Sequence, residues 1–460
     1  MNTEQQLVRH ICRTSFADLP GWVVDITKDQ LLADLGTVIG GAEADGCQTV
    51  VAMAKEAGGA PEATVLIHGG KVPAQQAAFV NAVMGRALDF CDAAAPGPHA
   101  GVAIISAALA AAELAGGATG PTGATGAEFL TAVAVGTDVA MRMNLGEAEY
   151  DGFDPTGICV PFGAAAAAAK LLHLSEEQTW NALALAFCRC GGTFQANVDG
   201  SLAVRVIEGW VAETGVTCAR LASRGITGPR EFIEGVYGYL HLYGRDHVTG
   251  ESIAAGIGAD FRNDRLVFKK FPSCGNTQGP TQLVLDVMAE EGLTAGDLDH
   301  ALFVVPHYIF KLVGHPFKVG SNPKVDAQFN IRFCAANALV RGSSRLEHFE
   351  EDAIRDPEVL RLAERIDVRP AAELDARGHQ AVDLYLVTKD GREHVRRTDV
   401  VPGFPECPLS KEEHLRRFRD CIAFSPVPMA ADKVDALMDA VAHVDALGDI
   451  REMLPLLMRD

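Results

Sequence analysis

The stretch FGAAAAAAKLL, residues 162–172, decides the fold class, because a run of alanines between apolar residues is typical of a helix that packs closely against other helices. Small residues also dominate AAFVNAVMGRAL (77–88) and AALAAAEL (107–114). Small side chains let helices approach closely, so we expect a dense helical bundle. Apolar residues recur at helical spacing in six segments, 75–90, 100–115, 127–144, 162–173, 176–190 and 209–224.

The pattern changes near residue 265, where strand signals appear. LDHALFVVPHYIF (298–310) and AVDLYLVT (381–388) are rich in β-branched and aromatic residues, and Asp390-Gly391 stands where a tight hairpin turn would follow. Between them, DAQFNIRFCAANALVRG (326–342) returns to helical spacing. This part of the chain is therefore predicted to be a smaller α+β domain.

Helical segments return at the C-terminus. Three short amphipathic segments follow at about 411–422, 430–442 and 447–458, and Ser410 and Glu413 are spaced as a capping box. We expect them to pack back on the first domain. The predicted fold is mainly α, with a large all-α domain over 1–262 and 404–460 and a smaller α+β domain over 263–403.

Charge and cysteine content limit the classes of partner and the compartment. The chain has 40 Lys and Arg against 60 Asp and Glu, a formal net charge of −20, which argues against nucleic acid or an anionic membrane as a partner. It has 11 cysteines, an odd number, and its start, MNTEQQLVRH, lacks the basic and apolar regions of a signal peptide. We therefore expect reduced thiols in the cytoplasm.

Three further patterns argue against other kinds of site. No C-x-x-C pair occurs, so a structural metal is not expected. AGVAIISAALAAAELAGGA (100–118) has the length of a membrane span, but its alanines and Glu113 indicate a buried helix. GGATGPTGATG (116–126) lacks the Lys-Ser/Thr ending of a phosphate loop and is predicted to be a turn.

The stretch ALDFCDAAAPGPHAG (87–101) concentrates polar groups between alanine-rich segments. Pro96 and Pro98 are predicted to stop one helix, which would place Asp89 in its last turn and His99 at the start of the next. A helix N-terminus lowers the pKa of an imidazole, so His99 would be a neutral base that Asp89 orients. The alternative is that both are polar groups at helix ends.

Eight stretches extend this observation: AAFVNAVMGRALDF, GAEFLTAVAVGTDVAMRM, GFDPTG before FGAAAAAAKLLHLSEEQ, GVTCARLASRGITGP, KKFPSCGNTQ, NPKVDAQFNIRF, DGREH and PGFPECPLSKEEHLRRF. In this order they resemble the MmgE/PrpD family, which holds 2-methylcitrate dehydratase, cis-aconitate decarboxylase and iminodisuccinate epimerase. The resemblance implies that the α+β part is a lid inserted in the all-α domain, that the chain forms a homodimer, and that a polar cleft lies between the two parts. It also implies proton transfer beside a carboxylate without a metal or organic cofactor.

The resemblance carries catalytic roles onto several residues. Asp89 and His99 keep the type and spacing of an Asp and a His that face the cleft in the family. Asp154 replaces the His of a G-F-H-x-T-G turn, and as a carboxylate before Pro155 it is equally a helix N-cap or a catalyst. Cys274 stands at a Cys or His position and is either a proton donor in the cleft or a buried thiol.

Substrate-binding roles are implied for four more residues. The family's K-R-L-H stretch is VRVI here (204–207), so Arg205 alone remains to clamp a substrate carboxylate, unless it forms a surface ion pair. Lys270 is a second carboxylate contact or an exposed lysine at the domain boundary. Asp92 in the loop, and Gln278 at a position where the family has His, complete the set.

The sequence thus predicts a cofactor-independent lyase or isomerase of a small di- or tricarboxylate. His99 would move a proton at the carbon beside a carboxylate, in a dehydration, a decarboxylation or an epimerisation. Loss of the family's Lys and of several of its His residues argues against 2-methylcitrate itself as the substrate. Two alternatives stay open: a non-catalytic ligand-binding member, and a divalent-metal-dependent hydrolase using Asp89, Asp92, His99 and Asp154.

Overall fold

The structure is a computed structural model that describes residues 1–95, 97–116, 123–146 and 152–459. It is mainly helical. The helices before residue 255 are α1 Thr3–Arg13, α2 Gly21–Gly41, α3 Cys47–Ala57, α4 Ala74–Arg86, α5 Gly101–Gly116, α6 Gly126–Met143, α7 Pro155–Leu171, α8 Glu176–Phe187, α9 Gln195–Val198, α10 Ala203–Ser223, α11 Tyr239–Leu242 and α12 Gly250–Ala254. Each of the six segments predicted to be helical overlaps one of them.

The dense packing predicted from small residues is confirmed. Helices α4, α5, α6, α7 and α10 pack around one large hydrophobic core, and the alanines at 164–169 in α7 are fully buried in it. A Cβ added at Gly163 would lie 2.5 Å from the carbonyl oxygen of Gly136 in α6, so glycine is required where these two helices cross.

Four short strands accompany these helices, and all of them lie outside the segments that were predicted to be helical. They are β1 Ala63–Thr64, β2 Lys71–Val72, β3 Asp92–Ala94 and β4 Leu266–Phe268. Strand β3 pairs antiparallel with β4, with Asp92 opposite Phe268. This pairing joins two segments about 170 residues apart in sequence and supports the polar loop described below.

A second hydrophobic core lies mainly between residues 274 and 386. Its sheet contains β5 Leu298–Val305, β6 Ile366–Pro370, β7 Val382–Thr388 and β8 Glu393–Thr398 in the order β6-β5-β7-β8. Strand β5 is parallel to β6 and antiparallel to β7, and β7 and β8 form the predicted hairpin. The helices in this region are α13 Gln278–Glu291, α14 His307–Val313, α15 Pro323–Gln328, α16 Ile331–Arg341, α17 Glu351–Ile354, α18 Pro357–Ala363 and α19 Ala372–Arg377.

The C-terminal segments pack against the first core, as expected. Helix α20 Lys411–Phe424 lies on α2, and α21 Ala431–Ala442 and the 3₁₀ segment Ile450–Leu457 add further buried residues. The capping box of Ser410 and Glu413 at the start of α20 is confirmed. The domain boundaries at 262 and 404, and the role of the inserted part as a lid, stay predictions.

Two sequence predictions fall partly outside the described ranges. Residues 117–122 of the turn predicted over 116–126, and Pro96, predicted to stop a helix, belong to the part of the chain that is not described. The apolar run at 100–118 forms the buried helix α5 as far as Gly116. Among the described helices, none combines the length and the apolar character needed to cross a bilayer.

Candidate active site

A small cavity of about 60 Å³ lies where the two hydrophobic cores meet. Its polar lining comes from several separate elements: Arg86 at the end of α4, His99 before α5, Asp154 before α7, Asn197 in α9, Cys274 and Asn276, and Tyr308, His379 and Gln380 from the region of the second core. Convergence of titratable side chains from distant segments on one concave site is the usual mark of a functional site.

Side chains of other segments hold the loop at 87–101 that carries His99, the predicted base. Three of its carbonyl oxygens accept hydrogen bonds from them: Leu88 from Gln328 at 2.7 Å, Asp89 from Lys269 at 2.9 Å and Phe90 from Arg417 at 2.7 Å. A fourth, that of Asp92, accepts from His99 of the same loop at 2.8 Å. Fixed carbonyl groups give the loop one conformation, which a positioned catalytic group requires.

His99 has a defined tautomer. Its Nδ1 lies 2.8 Å from the carbonyl oxygen of Asp92, which can only accept, so Nδ1 carries the proton and Nε2 has the free lone pair. Burial lowers the pKa of His99 well below its usual value, and the positive charges of Arg86 and Lys269 lower it further. The direction agrees with the sequence prediction, and its causes here are burial and these two cations.

Asp89 differs from its predicted place and role. Helix α4 ends at Arg86, so Asp89 lies three residues beyond it, with a left-handed φ of 49°. Its Oδ1 accepts from Arg86 Nη1 at 2.5 Å and from Lys269 Nζ at 2.9 Å. The prediction that Asp89 orients the imidazole is wrong, because the Asp92 carbonyl does so and Asp89 instead holds two buried cations together.

Arg86 and Lys269 are the cations at this site, and the sequence analysis did not select them. Arg86 lines the cavity, and Lys269 is fully buried behind it, with Nζ bound to both the carboxylate and the carbonyl oxygen of Asp89. Two sequence features could have identified them: the i,i+3 spacing of Arg86 and Asp89, and the position of Lys269 directly after the buried strand β4.

Arg205 and Lys270, predicted to hold substrate, lie elsewhere. Arg205 Nη1 donates to the Asp45 carbonyl oxygen at 2.5 Å, which ties α10 to the loop before α3. Lys270 Nζ donates to Gln282 Oε1 at 3.0 Å and borders a different surface depression with Pro272. Neither residue lines the cavity, because each side chain leaves its segment in another direction.

Asp92 and Gln278 are also scaffold residues rather than parts of the cavity lining. Asp92 is fully buried, and its carboxylate accepts from Gln30 Nε2 at 2.8 Å and from the Gly101 amide at 2.9 Å. Burial raises the pKa of Asp92 to about 6. Gln278 pairs with both backbone groups of Phe271, at 2.9 and 3.0 Å, and so shapes the turn that presents Cys274. Neither residue is part of the described lining of the cavity, where the sequence placed both as substrate contacts.

Asp154 fits both interpretations offered by the sequence. Its Oδ1 accepts from the Thr156 amide at 2.9 Å, which caps α7, and its carboxyl group also lines the cavity. Burial raises its pKa. Thr156 in turn accepts from the His99 amide at 3.0 Å through its hydroxyl oxygen, so the cap and the base are linked.

Cys274, Tyr308 and His379 also line the cavity. Burial raises the pKa of the Cys274 thiol to about 11, so the group is a neutral thiol at physiological pH. The rings of Tyr308 and His379 lie 5.1 Å apart, and burial lowers the pKa of His379 to about 4. Tyr308 was predicted to lie in an extended segment, but the chain turns into α14 at His307. The catalytic roles of Cys274 and Asp154 stay predictions.

A divalent-metal site was one of the alternatives open in the sequence. Within residues 1–95, 97–116, 123–146 and 152–459, no three His, Cys, Asp or Glu side chains come together as metal ligands. Asp89 is bound to two cations and Asp92 is enclosed by Gln30 and Gly101, so these carboxylates do not converge with His99 and Asp154.

A larger cavity of about 460 Å³ lies near α1, α6 and α7, and has Cys12, Glu128 and Lys170 in its lining. Lys170 Nζ donates there to the carbonyl oxygens of Ile11 and Thr14 at 3.0 and 2.5 Å. Its charge therefore stabilises the C-terminal end of α1. We take the smaller cavity as the candidate active site because His99 and Arg86 line it and the buried Lys269 binds the same carboxylate, Asp89, as Arg86 does.

Comparison with known proteins identifies the family of the chain. Residues 5–250 match the MmgE/PrpD N-terminal domain and residues 271–443 match the MmgE/PrpD C-terminal domain. The chain is 25% identical to cis-aconitate decarboxylase of Homo sapiens over 397 residues, which cover 84% of this chain and 80% of that protein. It is 21% identical to the cis-aconitate decarboxylase-like protein oryM of Aspergillus oryzae over 474 residues, 99% of this chain and 97% of that protein. The chain therefore belongs to the MmgE/PrpD family.

Proposed function

We propose that this member of the MmgE/PrpD family is a lyase that acts on a small di- or tricarboxylate by moving a proton at the carbon next to a carboxylate. The observation that carries the proposal is the neutral His99 imidazole, with Nδ1 bound to the Asp92 carbonyl and the ring lining a cavity that also contains Arg86. A neutral imidazole accepts a proton readily, and a nearby cation stabilises the negative charge that results.

The reaction begins with the Nε2 atom of His99. It removes a proton from the carbon, and the electron pair moves into the adjacent carboxylate to give an enolate-like dianion. Arg86 stabilises this charge, and Lys269 supports Arg86 through the carboxylate that they share, Asp89. The electron pair then returns to form a carbon–carbon double bond as the β-hydroxyl group leaves, and this group takes a proton from the His99 imidazolium or from Asp154 so that it departs as water, which completes a dehydration.

An epimerisation is the second candidate, because it needs a proton donor on the opposite face of the same carbon. Asp154 and Cys274 line the cavity on segments other than that of His99, and burial raises the pKa of both groups, which favours their protonated forms. Decarboxylation is supported by the names of the relatives, and in that reaction the carbanion left by CO₂ would take a proton from one of these donors.

The experiment is incubation of the protein with a panel of di- and tricarboxylates in D₂O. Exchange of a carbon-bound hydrogen next to a carboxylate, water loss or CO₂ release, each abolished in His99→Gln, is the expected result. Binding without exchange or turnover for every member of the panel would contradict proton abstraction and favour a non-catalytic ligand-binding protein.

A further inference from the structure

We propose that Asp34 of helix α2 is a positioning residue for His99: its carboxyl group donates a hydrogen bond to the carboxylate of Asp92 and so holds the loop that carries the base. The inference rests on the proposed function, because it takes His99 as the base. Asp34 is outside the described lining of the cavity, so it acts through Asp92 and not on the substrate.

Asp34 and Asp92 are buried neighbours, 1% and 0% exposed. Asp34 Oδ1 accepts a hydrogen bond from the Asp92 amide at 3.1 Å. A Cβ added at Gly101 would overlap Asp34 Oδ2 and lie 2.8 Å from Asp92 Oδ1, so these two carboxyl oxygens lie close together against Gly101. Two buried carboxyl groups in this arrangement repel each other when both are ionised, which favours a state in which they share one proton.

The hydrogen bonds around the pair assign the proton to Asp34. Both oxygens of Asp92 accept from N–H groups, Oδ2 from Gln30 Nε2 at 2.8 Å and Oδ1 from the Gly101 amide at 2.9 Å. Asp34 Oδ2 has no donor among the described residues. Because donors stabilise the ionised form of a carboxyl group, Asp92 is the carboxylate and Asp34 Oδ2 carries the proton that bonds to it.

The charged and titratable groups that face the pair come from four other segments: Arg417 on α20, Lys269 after β4, Glu208 on α10 and Cys91 in the loop itself. The two cations have other partners. Arg417 Nη2 donates to the Phe90 carbonyl oxygen, and Lys269 Nζ binds Asp89. Burial and the charge of Asp92 raise the pKa of Asp34 well above its usual range, which favours the protonated form.

Asp92 transmits the state of the pair to the base, because its carbonyl oxygen accepts from His99 Nδ1 at 2.8 Å. The hydrogen bond from Asp34 to Asp92 is present below the raised pKa of Asp34 and is lost as the pH rises through it. Two like charges then act on the residue that fixes the His99 ring. Asp34 therefore sets an alkaline limit to proton transfer, although it does not touch the substrate.

The test compares Asp34→Asn with Asp34→Ala in the full-length protein. Asn keeps an oxygen for the Asp92 amide and an N–H group for the Asp92 carboxylate, and it does not ionise. We expect Asp34→Asn to keep the wild-type rate in the D₂O assay at neutral pH and to retain it at the alkaline pH where the wild type loses activity. Asp34→Ala removes both contacts and should lower the rate by about 10- to 100-fold.

The ¹⁵N resonances of the His99 ring, assigned with His99→Gln, give a readout that needs no turnover. The wild type and Asp34→Asn should show one tautomer, protonated at Nδ1, and Asp34→Ala a mixture of tautomers. Asp25→Asn, at an exposed position of α2, is the matched control and should equal the wild type throughout.

Three results would each overturn the role of Asp34: wild-type ring signals in Asp34→Ala, the same alkaline loss in Asp34→Asn as in the wild type, or equal damage by Asn and Ala at neutral pH. If Asp34→Ala does not fold, the comparison of Asp34→Asn with the wild type at alkaline pH decides. Ring signals that respond as expected, without hydrogen exchange in any protein, would support the role of Asp34 and contradict the proposed proton transfer alone.

Discussion

His99 Nδ1 donates to the carbonyl oxygen of Asp92 at 2.8 Å, and the carboxylate of Asp92 accepts from the Gly101 amide at the start of α5. Asp92 therefore fixes the ring of the base through its backbone and the adjoining helix through its side chain. Because strand β3 begins at Asp92 and pairs with β4, the orientation of His99 depends on the contact between two distant segments.

Replacement of His99 by Gln should abolish proton transfer and leave the fold intact. General-base catalysis contributes about 100- to 10,000-fold to the rate of such reactions, so we expect a fall of that size in hydrogen exchange or turnover. His300→Gln, at an exposed position in β5, is the control and should keep full activity. Activity within about threefold of the wild type in His99→Gln would assign the base to another residue.

The protonation state of His99 can be measured directly. Because burial and the charges of Arg86 and Lys269 lower its pKa well below 6.5, the ring should remain neutral at pH 6.5 and gain a proton only at more acidic pH. The measurement is a pH titration of the ¹³Cε1 histidine resonances by NMR, with His99→Gln used to assign the signal. A midpoint at or above pH 6.5 would contradict this environment.

Lys269 and Lys270 are adjacent in sequence but should behave differently when each is replaced by Met. Lys269→Met removes one of two cations from the buried Asp89 carboxylate, and loss of a buried partner costs about 3 kcal/mol or more. Lys270→Met removes a partly buried contact with Gln282 and should cost less than about 1 kcal/mol. Urea unfolding and the D₂O assay, run on both variants, compare the two positions. Equal losses would contradict the different placement of the two side chains.

Much of the fold could be predicted from the sequence, and the exceptions have physical reasons. Alanine-rich segments with helical periodicity gave the helices of the first core, since their apolar stripes are regular. Helix α2 buries residues on all faces, including Gln30 and Asp34, so no apolar stripe delimits it. Pairing of β3 with β4 is non-local, and two strands of three residues carry too little pattern to be recognised.

The site was predicted in part. His99, Asp154 and Cys274 line the cavity. The sequence analysis could select these three because the family resemblance identified their positions in the chain. Arg205 and Lys270 were expected there because a sequence identifies a cation but not the direction of its side chain. The environment of Glu208 could not be predicted from the sequence, since only the burial of both carboxyl oxygens, with no hydrogen-bond partner among the described residues, distinguishes it from an ordinary helix-surface glutamate.

Gly101→Ala should be strongly destabilising. A Cβ at this position would overlap Asp34 Oδ2 and lie 2.8 Å from Asp92 Oδ1, in a region that has no space for it. Overpacking of this kind costs about 1–3 kcal/mol and occasionally more, and here it would also displace the residue that orients His99. Thermal unfolding and the D₂O assay measure the two effects. Gly21→Ala, where an added Cβ meets no atom within 4 Å, is the control and should lose neither stability nor activity.

Glu208→Gln should become more stable than the wild type as the pH rises. The folded-state pKa of Glu208 is raised above its usual 4.5 by burial, so between pH 4.5 and that higher value the folded protein holds a proton that the unfolded chain releases. The free energy of unfolding of the wild type then falls by about 1.4 kcal/mol for each pH unit in this window, and Gln removes this loss because it does not ionise. Below pH 4.5 the carboxyl group is protonated in both states and the two proteins should differ little in this respect. Urea unfolding at pH 4.5, 5.5 and 6.5 measures the trend, with Glu231→Gln at the exposed surface as the control. A stability difference between Glu208→Gln and the wild type that stays constant over this range would mean that Glu208 is ionised in the folded protein, with a cation as its partner.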